Sequence, residues 1–282
     1  MKKEVIISGL LLLVAIISTT IVFADDPADA FYRPFVQSVV PESISNNLNL
    51  KESSFDVSLF SGEAIYSYTL EVPPGTNGLS PTVNLIYRSH DTKSKPDLIG
   101  SAWSITQNYI QRNINYTQKD SSDDYFQLHL NDNIYDLVYD SSTQSYHTKI
   151  ESFLNIKNST GGNNTQSIYW IVKTRDGTMY RFGFNNDSEQ ISDQESYINR
   201  WYLDLINDTY NNGIFYSYLE NPNNNDIGIT YPYKIEYNND KERIIEFILE
   251  SSDRNDTYEV YSNGNKERYL YKTNIRFLWI SL

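Results

Sequence analysis

The chain has 282 residues, a formal net charge of -13 and no cysteine. So acidic a surface repels phosphate backbones and argues against a nucleic-acid partner. With no disulfide available, an exported domain of this chain must rest on core burial, and the length suffices for one large β domain or two smaller ones.

Met1-Lys2-Lys3-Glu4 opens the chain, an uncharged run follows from Val5 to Phe23, and Ala24 precedes Asp25-Asp26. A basic start, an apolar stretch and a small residue before a cut predict a signal peptide over 1–24. A retained N-terminal anchor is the alternative, because about 18 apolar residues can span a bilayer. Either way the remainder is expected to be secreted or at the cell surface, touching a membrane only through an uncleaved N-terminus. Removing Lys2, Lys3 and Glu4 takes the charge from -13 to -14. Residues 25–54 carry Pro27, Pro34 and Pro41 without a sustained period and predict a linker or extended arm.

From residue 55 onward the pattern alternates. Tyr66, Tyr68, Leu70 and Val72 fall on one face of a strand, with Ser67, Thr69 and Glu71 on the other. Pro73-Pro74-Gly75 ends it, because proline cannot donate to a ladder and glycine is expected to take the turn at positive φ. Thr82–Arg88 resumes the alternation. Short strands are predicted at Tyr125–Leu130 and Ile134–Tyr139. Three hairpins follow: Tyr169–Thr174 with Met179–Phe184, Trp201–Ile206 with Ile214–Leu219, and Tyr233–Tyr237 with Ile244–Leu249. The 24 tyrosines and 12 phenylalanines suit pleated surfaces that are dry on one side. No segment after residue 24 carries a helical stripe. The expected fold is all-β, successive antiparallel hairpins forming a β-sandwich or part of a β-shell, in one module over 55–282. The apolar end Phe277–Leu282 stops while a strand is being written, which predicts a truncated module.

The stretch SGEAIYSYTLEVPPGTNGLSPTVNLIYRS, residues 61–89, followed by Leu98-Ile99-Gly100-Ser101-Ala102-Trp103-Ser104-Ile105, resembles the opening of the SpvB-type family. That family takes in the N-terminal region of the virulence-plasmid B protein and of insecticidal toxin-complex B components, which are linked to Rhs/YD-repeat proteins. The resemblance continues through Asp176–Gly183, Trp201-Tyr202-Leu203, Asn212-Gly213 and Ile235-Glu236-Tyr237. It implies β-structure that helps build or close a hollow shell, with other shell parts or a cargo as partners. The structural residues it points to are Tyr66, Tyr68, Pro73, Pro74, Gly75, Gly78, Pro81, Tyr87, Gly100 and Trp103. Read by themselves, Pro73, Pro74 and Gly75 make a rigid corner, Gly78 and Pro81 set the re-entry, and Trp103 is an apolar plug. Tyr135-Asp136 and Tyr139-Asp140 resemble the repeat dipeptide, but no periodic array is present.

Chemistry is sparsely signalled. His90, His129 and His147 have no metal-ligand spacing, so no metal and no other cofactor is expected. Asp208–Gly213 superficially suggests a calcium loop, yet Tyr210 and Leu219 occupy positions that need oxygen ligands, so a hairpin turn is expected. No Glu-x-Glu pair and no Gly-x-Ser-x-Gly elbow occurs, and the expectation is that the chain is not an enzyme. Two alternatives stay open. Aromatic residues such as Trp201, Tyr216 and Tyr218 could stack on a cell-surface glycan in an adhesin, or two unlinked carboxylates could act as a glycoside hydrolase pair. Core packing is the favoured reading of those aromatics. Six Asn-x-Ser/Thr sequons, at Asn115, Asn158, Asn163, Asn186, Asn207 and Asn255, permit glycosylation and demand nothing.

Overall fold

Strands form where aromatic and β-branched residues alternate with polar ones, and the turns fall on the Asn, Asp and Gly clusters between them. The computed structural model describes residues 53–94, 97–117, 121–191, 197–220, 228–250, 258–262, 265–269 and 273–278. These belong to one compact unit, Glu52–Leu282. The predicted signal or anchor (1–24), most of the predicted arm and the last four residues lie outside the described residues. The first strand begins at Ser53, two residues inside the end of that arm.

Strands β1 (Ser53–Val57), β2 (Ala64–Thr69), β3 (Asn84–Arg88) and β4 (Trp103–Ile105) form an antiparallel sheet in that order. The larger sheet begins with β5 (Tyr109–Asn113), β6 (Tyr125–Leu130), β7 (Asn133–Asp140), β8 (Ser145–Thr148), β9 (Asn155–Thr160), β10 (Ile168–Lys173) and β11 (Met179–Phe182), each paired with the next. Then come β12 (Glu189–Ile191), β13 (Ile198–Asn207), β14 (Gly213–Glu220), β15 (Thr230–Tyr237), β16 (Arg243–Leu249) and β19 (Thr273–Leu278). Between the last two, β17 (Tyr258–Ser262) and β18 (Asn265–Tyr269) make a separate hairpin.

The all-β expectation holds, and the sheet does more than stack hairpins. The ten-residue β13 pairs through Arg200–Tyr202 with β5 and through Leu203–Asn207 with β11, so β5 to β11 and β13 close into a barrel-like ring. Along β13, β5 and then β14 occupy one edge while β12 and then β11 occupy the other. Closure removes the open edges that a flat sheet of these strands would expose. Beyond the ring, β14, β15, β16 and β19 continue as an antiparallel meander.

The inward residues follow the period of two. Phe126, Leu128 and Leu130 of β6, Trp170 and Val172 of β10, and Phe182 of β11 join the core, with Ile110, Leu137, Ile156, Trp201 and Leu203. At its centre Trp170 meets Phe126 at 5.0 Å, Tyr146 at 4.8 Å and Trp201 at 5.9 Å between ring centroids, all at steep angles. Edge-to-face pairs of this kind add about 1 kcal/mol each beyond the area they bury.

Candidate functional site

The predicted motif residues fall in three places: one face of the small sheet, the Pro-Pro-Gly corner with its re-entry, and a tight loop at Gly100. On one face of the small sheet Trp103 packs against Tyr87 at 5.4 Å and edge-on against Tyr66 at 6.3 Å. The register sets Tyr66 opposite Tyr87 and Tyr68 opposite Leu85, so all four motif aromatics share this face. After β2 the Leu70 N–H donates to Val83 O at 2.9 Å, and Leu70, Val72 and Leu79 reach the main core.

The Pro-Pro-Gly corner then docks on the β15–β16 turn. Tyr237 Oη donates to Pro73 O at 2.9 Å, and the Thr76 N–H donates to Asn238 Oδ1 at 2.8 Å. Pro74 is exposed and Pro81 is buried. Gly100 lies elsewhere, in a tight loop where Asp97 and Gly100 exchange backbone hydrogen bonds at a φ of +139°.

Gly75 corrects the sequence reading. Its φ is -79°, so no positive φ demands glycine there. A β-carbon would instead overlap the Leu79 carbonyl oxygen and sit 2.9 Å from its carbon, so close approach of backbone is the reason. The left-handed residues of this turn are Asn77 (φ +56°) and Gly78 (φ +78°), and nothing lies within 4 Å of a β-carbon built on Gly78.

A second cluster, which sequence reasoning missed, holds the ring closed. Arg181 faces Leu205 and Phe182 faces Leu203, so Asp204 is the extra residue of a β-bulge. Its buried carboxylate accepts from Arg181 Nε at 2.7 Å, Phe184 N at 2.6 Å, Asn185 N at 3.1 Å and Ser188 Oγ at 3.3 Å. Burial pushes the Asp204 carboxyl up, while Arg181 and the two backbone donors pull it back. Nearby, buried Glu189 accepts from the Thr165 N–H at 3.0 Å and the Thr165 hydroxyl at 2.6 Å. Buried Asn164 bonds Ile168 and Gly183, and Trp201 Nε1 donates to Ile168 O at 2.9 Å. The one available signal was a lone carboxylate inside the apolar run Trp201-Tyr202-Leu203-Asp204-Leu205-Ile206.

The aromatic residues proposed for glycan stacking are occupied. Trp201 is 1% exposed, Tyr216 packs against the core, and the Tyr218 hydroxyl donates to Leu203 O at 2.7 Å. The Asp208–Gly213 segment is the predicted hairpin turn, its carboxylate accepting from Tyr210 N, Asn212 N and Asn212 Nδ2 at 2.7–2.9 Å. Of the histidines, His90 is exposed in a short 3-10 turn and His147 lies 3.8 Å from Asp140. His129 stacks on Tyr109 with centroids 4.2 Å apart, and its pKa is lowered to about 4 by burial and then by the Arg200 charge. Among the described residues no group of three or more His, Asp or Glu could hold a metal ion, and no helix is long and apolar enough to cross a membrane. At the far end of β14, Glu220 is raised to about 7 by burial and by the neighbouring Glu189 and Asp187 carboxylates.

Comparison with known proteins gives a consistent picture. The family model described as Salmonella virulence plasmid 65kDa B protein, SpvB, matches residues 59–273. No curated protein matches the chain in sequence. The TcdB2-TccC3 crystal structure superposes with a TM-score of 0.65 at 15% identity, covering 80% of this chain and 14% of that one. The N-terminal domain of the effector SpvB from Salmonella typhimurium strain LT2 gives 0.59 at 17% identity, covering 73% of this chain and 84% of that domain. A Tc holotoxin pore from Photorhabdus luminescens gives 0.58 at 14% identity, covering 78% and 13%. The chain thus spans a small part of the toxin-complex chains whose fold it shares.

Proposed function

This chain belongs to the SpvB family, and on that premise we propose that its β module is a non-catalytic structural segment of an exported toxin-complex or Rhs-like delivery assembly. Its partners are other parts of that assembly or its cargo. The likeness to the TcdB2-TccC3 and Tc holotoxin chains supports this reading. So does the chain's own chemistry. The buried carboxylates of Asp204 and Glu189 are engaged by backbone and side-chain donors of the barrel wall, which suits a role in holding shape. The 1–24 segment as an export signal and the module over 55–282 as its unit are part of the same proposal.

The test is to tag the chain in its producing cell, cross-link, isolate it under native conditions and identify what accompanies it. The expected result is a second polypeptide of toxin-complex type cross-linked to the β module, with no turnover of chromogenic glycosides. Isolation of the chain alone, or hydrolysis abolished by a single carboxylate substitution, would sink the proposal.

A further inference from the structure

Between the small sheet and the outer face of the barrel lies an open cleft of about 310 Å³, within the size range of small-ligand sites. The even-numbered residues Ile86, Arg88 and Ser104 line it from the small sheet, since Ile86 pairs with Ser104 across β3 and β4. Opposite them stand Tyr109, His129 and Arg200 on β5, β6 and β13.

These groups are held in place. Tyr109 carries the His129 ring stacked at 4.2 Å, and the Arg200 guanidinium lies 5.2 Å from its centroid. Arg200 Nε donates to Gln111 Oε1 at 3.2 Å, which fixes the fork. Asp132, at the rim, accepts from Thr106 Oγ1 at 2.8 Å on one oxygen and from Asn84 Nδ2 at 3.3 Å on the other, leaving further lone pairs on both. Among the described residues the His129 ring nitrogens have no hydrogen-bond partner, and at neutral pH the uncharged ring offers one donor and one acceptor.

The balance of groups selects the ligand class. Arg88 and Arg200 are matched by Asp97 and Asp132, so the lining has no excess charge to attract a simple anion or cation. Donors and acceptors line a space to which Ile86, Leu98 and Ile229 add apolar wall. A hydroxyl group accepts from a guanidinium or imidazole N–H and donates to a carboxylate at once. We infer that this cleft binds a neutral polyhydroxylated molecule, a sugar or the sugar unit of a glycan, with His129, Arg200 and Asp132 as its polar contacts.

The experiment uses the full chain and its three histidines as reporters. Glucose, galactose, mannose, N-acetylglucosamine and the β-1,4-linked dimers of glucose and N-acetylglucosamine are titrated to millimolar concentrations while the imidazole resonances are followed. At least one sugar is expected to move the His129 resonance saturably and leave His90 and His147 in place. His129→Gln, which lacks the reporter ring and is therefore titrated by calorimetry beside the parent, should weaken that sugar at least tenfold at an unchanged melting temperature. Should that variant melt early, Asp132→Asn in the exposed turn between β6 and β7 serves instead, with the same expected loss. Saturation by a monosaccharide assigns a free sugar, and response to the dimers alone assigns a glycan chain. No response from any sugar, or a response that both variants leave unchanged, overturns the inference.

Discussion

Gly75 and Gly78 offer a matched pair of substitutions whose outcomes are set by different physics. In Gly75→Ala the new methyl overlaps the Leu79 carbonyl, and that atom is backbone, so the turn itself must open. The bonds at risk are Gly78 N to Gly75 O at 3.0 Å, Leu79 N to Thr76 O at 3.1 Å, and the two docking bonds from Tyr237 and to Asn238. Two lost bonds at about 1 kcal/mol each, plus about 1 kcal/mol for a Tyr237 hydroxyl left without its acceptor, give a destabilisation of about 3 kcal/mol. Gly78→Ala meets no atom within 4 Å and costs only the left-handed conformation, about 1 kcal/mol. Urea unfolding followed by tryptophan fluorescence measures both, and Gly75→Ala should also melt roughly 6–12 °C lower than the parent. If Gly78→Ala proved the more damaging, the close-approach argument would be wrong and positive φ would govern the corner after all.

Three further outcomes follow from the ring-closing cluster and its surroundings. Asp204→Asn replaces an acceptor of four hydrogen bonds by a group that brings its own donors, and should cost about 3–5 kcal/mol in the same unfolding assay; a loss under about 1 kcal/mol would show that the bulge does not depend on the charge. Trp201→Ala should lower stability by about 3–5 kcal/mol, because a fully packed ring and its bond to Ile168 O are removed together; a folded, undestabilised variant would contradict its place in the core. Glu220 has its pKa raised to about 7, so the folded state holds this proton more tightly than the unfolded chain does. Its contribution is therefore most favourable at acid pH and is lost as pH rises from about 4.5 through about 7, on the order of 1–2 kcal/mol after solvent screening. Glu220→Gln should flatten that part of the stability–pH curve, and an unchanged slope between pH 5 and pH 8 would refute the assignment.

Strands with one dry face were legible in the sequence. Tyr125–Leu130 was bounded residue for residue, and Ile214–Leu219 and Ile244–Leu249 to within one residue at each end. The strands that escaped are those whose side chains do not alternate in polarity. In β9, Asn155–Thr160, Ile156 alone is buried, and in β8 the buried residues are the polar Ser145 and Thr148. Such segments are strands because their neighbours in a closing ring satisfy their backbone groups, which no local pattern encodes. The same limit applies to the site. The Pro-Pro-Gly corner was visible, but its anchors Tyr237 and Asn238 lie 164 and 162 residues away from the groups they bind. Asp204 was visible only as a misplaced charge, and the His129–Tyr109–Arg200 stack joins three strands by register alone.

The central claim is that this module works as a part of something larger. Its most direct test is the native mass of the tagged chain in undenatured culture fluid and cell envelope. The account predicts a species far heavier than a 282-residue polypeptide, returning to the size of the single chain on denaturation. A native mass equal to one chain in both fractions would contradict it.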